Sequence, residues 1–424
     1  VPYMAQFPAM RYAITSSGAA VAQTHRAELE HVPSAADFAD AISDDPASAG
    51  LLSESEVESL LRGHAAMETV SKEQAQSDVS LLFRTLQSAY GAYEYFGQEK
   101  FDAAEDAVTQ WLSSQNDEIK VSALGEKLQE SLAFMLAHDA HAMIYEPAAE
   151  EIEAQVRYEY FFADGFYFSK DVNGSYYMVN DGERWTLSSF SDEHVSVQPT
   201  LLQDGRIVYQ PTLFALRKDA VQSSVTLKNS SGKAKIYRLD WTESQPLDVD
   251  LGTLDYRLIQ EDGLTYVSLR SFVSGTYDNM LARYAREGAK ARGSKAVIYD
   301  LRGNVGGSDS WPRKWIQSFL GTQNSIETSM LYAQKNSALF AAENSESLLP
   351  EDEGTCFARE VHGTWYENDI PIIVLVDDHC GSSGEGAVQL LKTLDNVLIV
   401  GSNTAGYQLC GNISTFTLPY TGIG

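Results

Sequence analysis

Ala296-Val297-Ile298-Tyr299-Asp300-Leu301-Arg302-Gly303-Asn304-Val305-Gly306-Gly307 opens as a strand and runs directly into a glycine-rich turn. A helix pattern through Trp311 and Trp315 follows. The succession recurs at Ile372-Ile373-Val374-Leu375-Val376, a buried strand, then His379-Cys380-Gly381-Ser382-Ser383-Gly384, a turn, then a helix from Glu385 to Leu394. Leu264–Leu269 and Val397–Val400 supply further strands, and Met280–Ala291 another helix. Strands alternating with helices predict an α/β core over residues 251–424. The polar stretch 322–366 interrupts this alternation and reads as an insertion or mobile loop.

Upstream the pattern changes twice. Residues 151–250 carry aromatic and β-branched runs, such as Tyr158-Glu159-Tyr160-Phe161-Phe162 and Gly174-Ser175-Tyr176-Tyr177-Met178-Val179. Turns at Asp164-Gly165, Asn173-Gly174, Asp181-Gly182 and Asp204-Gly205 separate the runs, which predicts a small antiparallel β module. Residues 1–150 form an N-terminal helical region behind a loosely specified lead-in of about fifty residues. Val79, Leu82, Phe83, Leu86 and Tyr90 recur at helix spacing after Ser77, a candidate N-cap. Leu124, Leu128, Leu132 and Met135 repeat the signal after Ser122 and deliver His138, Asp139 and His141 just past a helix end.

The whole chain has 424 residues, 59 acidic against 31 basic, for a net charge of −28. Such a charge repels phosphate backbones and anionic lipid, so neither nucleic acid nor a membrane surface is an expected partner. No apolar run reaches the ~18 residues of a membrane span. Three cysteines, Cys356, Cys380 and Cys410, are too few for a disulfide framework and lack zinc-site spacing; a single Cys380–Cys410 bridge stays open. The first residue, Val1, is consistent with removal of a leader, and a secreted or cell-envelope location is the expectation, with a cytoplasmic one as the alternative.

Each glycine-rich turn exposes backbone N–H groups at a helix start, where they stabilise negative charge. Neither turn carries a nucleotide-binding fingerprint, so no cofactor is expected, and an oxyanion hole uses the same physics. Ser382 and Ser383 stand at the second helix mouth, where an acyl-transfer nucleophile belongs, although a serine there also serves as a plain N-cap. The flanking residues do not form a Gly-x-Ser-x-Gly elbow, because residue 385 is Glu. Among the histidines, His141 is the candidate base; His138 and His141 as a metal pair lack further ligands, so no metal is expected.

In order along the chain, these segments resemble the tail-specific, or C-terminal-processing, serine peptidase family. Leu264–Phe272 resembles its entry strand, Ala296–Gly307 its Asp-Leu-Arg-x-Asn-x-Gly-Gly block, Val374–Leu391 its nucleophile block, and Val397–Gly406 the strand and turn that follow. The resemblance implies a crotonase-like core of ββα units, peptide-bond hydrolysis, and Ser382 as nucleophile, three residues before Glu385. In the best-known members a lysine about 25 residues later activates the serine; here Tyr407 occupies that place, and a phenol with a reference pKa of ~10 is no general base near neutral pH. The branch similar to the tricorn protease core uses a histidine from an Asp-x-His block instead, and Asp139-Ala140-His141 matches that block. The resemblance therefore implies His141 as general base, backbone N–H groups of Ser383 and of Gly306 or Gly307 as oxyanion donors, and Asp139 and Glu385 as supporting residues. The glutamate that orients the imidazole in that branch is expected beyond Gly424, which makes the 251–424 core an apparently incomplete one. Residues 151–250 occupy the family's usual PDZ position but lack the Gly-Leu-Gly-Phe-like loop. The alternative is a non-catalytic protein of the same fold that holds an apolar ligand or a peptide in its cleft. Substrate preference and oligomeric state are not readable from the residues.

Overall fold

The computed structural model describes residues 25–145 apart from 43, 158–201 apart from 164 and 193, 207–216, 223–243, 256–401 apart from 276 and 347, and 403–424 apart from 409 and 412. The first half of the expected lead-in, Asp164 and the Asp204-Gly205 turn lie outside the described residues. Two compact units result: one gathers the described parts of Val1–Ala27, Arg157–Ile326 and Trp365–Ala405, the other those of Glu28–Val156, Glu327–Thr364 and Gly406–Gly424.

The first unit is built on a five-stranded sheet in the order β1 (Arg257–Glu261), β2 (Leu264–Ser268), β3 (Ala296–Asp300), β4 (Ile372–Val376), β5 (Val397–Gly401). β1 pairs antiparallel with β2, and every later pair is parallel. Parallel strands need crossovers, and α1 (Asp278–Glu287), α2 (Ser310–Leu320) and α3 (Ser383–Leu391) supply them. Val297, Tyr299, Val374, Trp315, Ile316, Phe319 and Leu391 close the core between sheet and helices. α1 ends earlier than the apolar pattern suggests and passes into a 3₁₀ turn at Gly288–Gly293, where glycine is a poor helix former and its missing Cβ lets the chain pass the Trp315 carbonyl of α2. Since β3 and β4 run parallel with Asp300 beside Leu375, the turns that leave them emerge side by side at the carboxyl edge of the sheet.

The same unit holds the β module. Among its described residues it contains only strands, in two antiparallel sheets of five and four, packed over Phe168, Trp185, Leu213, Val225 and Leu227. Asn173-Gly174 and Asp181-Gly182 form turns as their sequence requires, Gly174 and Gly182 both taking positive φ.

The second unit is mainly helical. Its long helix Lys72–Ala89 starts at Ser71, not at Ser77: Ser71 Oγ accepts the Gln74 N–H while Gln74 Oε1 accepts the Ser71 N–H, a reciprocal cap that outweighs a lone serine inside the helix. Ser122 is likewise interior, because Val121–Ser131 begins from Lys120. The stretch expected to be an irregular insertion is ordered: Met330–Lys335 and Cys356–Val361 pair as a hairpin, and Ala338–Glu343 is a helix capped by Ser337. Leu339 joins the helical core, and Lys335 Nζ donates to the Gln87 carbonyl at 2.7 Å, so this segment is a packed part of the unit. The carboxyl-terminal residues pack there too, with Leu418 and Ile423 buried and Thr421 held by the carboxylate of Asp78 through both its N–H (2.7 Å) and its hydroxyl (2.8 Å). Among the described residues no helix is long and apolar enough to cross a membrane.

Candidate active site

Ser382 caps the start of α3 with φ 51° and ψ −123°, a backbone region that L residues with a Cβ rarely enter. Such strain persists only where the surroundings enforce it. Here Gly306 presses against the serine: a Cβ added to Gly306 would stand 2.6 Å from Ser382 Cβ and 3.0 Å from Ser383 N, so only glycine fits. Gly307, at φ 134°, is crowded in the same way by the backbone of Phe272.

The turn that carries these glycines is fixed by side chains on every side. Asp300, wholly buried at the end of β3, pairs with Arg302 at 2.8 Å and Arg270 at 3.3 Å and accepts the Tyr266 hydroxyl at 2.7 Å. Although burial opposes its charge, these partners hold the carboxyl well below the usual carboxylate range. Arg270 also donates to the Arg302 carbonyl, which ties the end of β2 to the turn. Asn304 accepts the Gly306 N–H at 2.9 Å and donates to the Leu269 carbonyl at 2.7 Å. Ser383 Oγ donates to the Gly307 carbonyl at 2.8 Å. Glu385 is buried in the first turn of α3, and burial, followed by the charge of Glu385, raises the pKa of the Cys380 thiol.

His141 belongs to the second unit. The helix Ala133–Leu136 ends shortly before it, and Asp139 accepts the His141 N–H at 3.0 Å and the Tyr90 hydroxyl at 2.8 Å. Asp139 therefore holds the main chain of the histidine rather than its imidazole. The ring lies edge-to-face on Tyr407, with centroids 4.5 Å apart, so the tyrosine in the lysine's expected place is a packing partner of the histidine. His141 Nδ1 is buried and has no hydrogen-bond partner among the described residues. Cys410 shares the Asp139 carboxylate, and burial followed by that charge pushes its thiol up to about 12. All three cysteines are free, so the open Cys380–Cys410 bridge is not formed. His138 is exposed and tilted against Phe96. His379 is also exposed, and its Nδ1 is 2.9 Å from Asp378 Oδ1. Asp377, Asp378 and His379 are close enough to share a cation, but Asp377 is already engaged as acceptor for the Gly303 and His379 N–H groups.

Thus Ser382, Ser383, Gly306, Gly307 and Glu385 share one unit, and Asp139 and His141 the other. Sequence reasoning passed over the hydrogen bonds of Asn304 to the glycine turn and of Tyr90 to Asp139. The available signals were the short polar Asn304 inside a glycine turn and a tyrosine at the end of an otherwise wholly apolar helix face.

The α/β core thus places a strained serine at a helix start, with a glycine turn pressed against it. Residues 263–421 match the model of peptidase family S41, which supports a serine-type peptidase. No curated protein matches the chain. Among solved structures, mature CPAF complexed with lactacystin is similar at 14% identity and a TM-score of 0.42, over 83% of this chain and 88% of that one. The photosystem II D1 C-terminal processing protease is similar at 14% identity and a TM-score of 0.32, over 78% and 81%. A lipoprotein from Streptococcus agalactiae is similar at 14% identity and a TM-score of 0.32, over 84% and 83%.

Proposed function

We propose that this peptidase hydrolyses peptide bonds through an acyl-enzyme on Ser382, with His141 as general base. The observation that carries the proposal is the backbone of Ser382, a non-glycine residue at φ 51° at the mouth of α3, held there by the close approach of Gly306. The order of the five-stranded sheet, with a helix after each of β2, β3 and β4, supports reading the core as crotonase-like.

In this mechanism His141 takes the proton of Ser382 Oγ as the oxygen attacks the substrate carbonyl carbon. The resulting oxyanion accepts hydrogen bonds from the Ser383 N–H and from one glycine N–H. Gly306 N–H is already committed to Asn304, which favours Gly307 as that second donor. The tetrahedral adduct collapses to the Ser382 ester as His141 protonates the leaving amine. Water then adds to the ester, giving its proton to His141, and collapse returns that proton to Ser382 Oγ as the acid departs.

The test follows hydrolysis of casein from pH 5 to 9 by the wild type, Ser382→Ala and His141→Ala. The mechanism requires both substitutions to reduce the rate by at least about 10³-fold, and the wild-type rate to rise as an imidazole deprotonates. Wild-type cleavage that survives both substitutions would refute it.

A further inference from the structure

Oxyanion donors work only if they are aimed before the charge forms. The geometry points to Asn304 as the positioning residue that aims the Gly307 N–H, an inference that rests on Ser382 being the nucleophile.

Asn304 is wholly buried, and its polar groups bind three separate pieces of chain. Its Nδ2 donates to the Leu269 carbonyl, just past β2, at 2.7 Å. Its Oδ1 accepts the Gly306 N–H at 2.9 Å. Its own carbonyl accepts the Gly381 N–H at 2.9 Å, one residue before the nucleophile. A single side chain and its peptide thus join the end of β2, the glycine turn and the serine turn.

The consequence for Gly307 follows from peptide planarity. Gly306 is gripped on both sides, its N–H by Asn304 and its carbonyl by the Phe272 N–H at 2.6 Å. In a trans peptide the carbonyl and the next N–H point in opposite directions. With the Gly306 carbonyl turned to Phe272, the Gly307 N–H is turned away from it, and no group among the described residues accepts that N–H. The next peptide is held in the same fashion: Ser308 N–H donates to the Phe272 carbonyl at 2.9 Å while the Gly307 carbonyl accepts Ser383 Oγ at 2.8 Å. Glycine at φ 101° and φ 134° has no steric preference for this conformation, so the orientation depends on the clamps. Loss of the Asn304 carboxamide frees the Val305–Gly306 peptide and leaves the Phe272 N–H, among the described residues, as the only hydrogen bond on the Gly306–Gly307 peptide that carries the donor, so its aim loosens.

The test compares Asn304→Ala and Asn304→Asp with the full-length wild type. Three quantities are measured: kcat and KM on casein, the rate of inactivation by a fluorophosphonate with the adduct mapped by mass, and the melting temperature. For Asn304→Ala the expected result is a 10- to 100-fold fall in kcat and in the inactivation rate at Ser382, with KM within twofold. Asn304→Asp supplies a sharper sign. Its ionised carboxylate cannot donate to the Leu269 carbonyl, whereas its protonated form can, so its activity relative to wild type rises as pH falls from 8 to 5.5. A merely structural asparagine shows that recovery in the melting temperature alone, with kcat of the folded variant unchanged by it, whereas a positioning one shows it in kcat. Should Asn304→Ala fail to fold, Asn304→Asp, which replaces only the amide nitrogen by oxygen, decides the matter through the same kcat and inactivation rates. Folded variants with wild-type kcat and inactivation rate, while the wild type is labelled at Ser382, overturn the inference and leave the nucleophile standing. A wild type labelled at another residue overturns the nucleophile assignment itself, and the inference with it.

Discussion

The serine turn and the histidine segment are held in place by different means. Around Ser382 the restraints are backbone and close packing: strained φ, two glycines without room for a Cβ, and a buried Asp300–Arg302–Arg270 cluster whose members satisfy one another. Around His141 the restraints are a few side-chain contacts: Asp139 on the main chain, Tyr90 on Asp139 and the ring of Tyr407, with Nδ1 unpaired among the described residues. The first region stores strain in the folded chain itself, so changes there should have large, steric effects. The second depends on individual hydrogen bonds, so loss of any one of the groups that support the histidine should have a smaller, graded effect.

The largest expected effect is at Ser382. Ser382→Ala lowers casein hydrolysis by about 10⁴-fold or more without unfolding the chain, whereas Ser382→Gly, which relieves the positive φ, raises stability by about 1 kcal/mol in denaturant titrations. A less stable Ser382→Gly variant would show that the strain is not there. Next comes Gly306→Ala, whose Cβ meets Ser382; activity falls about 10³-fold and stability by about 2–4 kcal/mol, read by the same assays.

Two buried carboxylates, one in each unit, sharpen the contrast through pH. Asp300 has its pKa lowered by Arg302, Arg270 and Tyr266, so its stabilising contribution is present above the unfolded value of ~3.9 and is lost as pH falls through the folded one. Asp300→Asn therefore costs about 3 kcal/mol at pH 7, and in melts at successive pH values the deficit shrinks below pH ~4. Asp78 has its pKa raised chiefly by burial, against the pull of the Thr421 and Tyr420 donors. Its sign is opposite: stability is lost as pH rises from the unfolded value through the folded one, so Asp78→Asn flattens that decline. Parallel pH profiles for the two variants would break the comparison. The smallest effect expected is from Tyr90→Phe, which removes one hydrogen bond to Asp139, costs about 1 kcal/mol and slows casein hydrolysis only a few-fold.

Much of the architecture was legible because strand-turn-helix successions such as Ile372–Val376 followed by Gly381-Ser382-Ser383 carry both a period and a break. What escaped reading was set by contacts distant in sequence. The helix beginning at Ser71 required weighing a reciprocal cap with Gln74 above the more conspicuous Ser77-Asp78 pair. Asp78 itself is a buried acceptor for Tyr420 and Thr421, 342 and 343 residues away, which no local pattern reveals. The 322–366 stretch looked irregular because its hairpin and helix are short, and their burial depends on helices encoded far upstream. Within the proposed site, the positive φ of Ser382 and the Asn304 hydrogen bond to the Gly306 N–H, on which the proposal of Gly307 as donor rests, had no local signature in the residue order.

The central claim is that Ser382 is a nucleophile activated by His141. It is tested most directly by treating the wild type and His141→Ala with a fluorophosphonate and mapping the adduct by peptide mass. The account predicts a single adduct on Ser382 in the wild type and labelling at least 100-fold slower in His141→Ala. An adduct on any other residue, or equal rates in the two proteins, would contradict it.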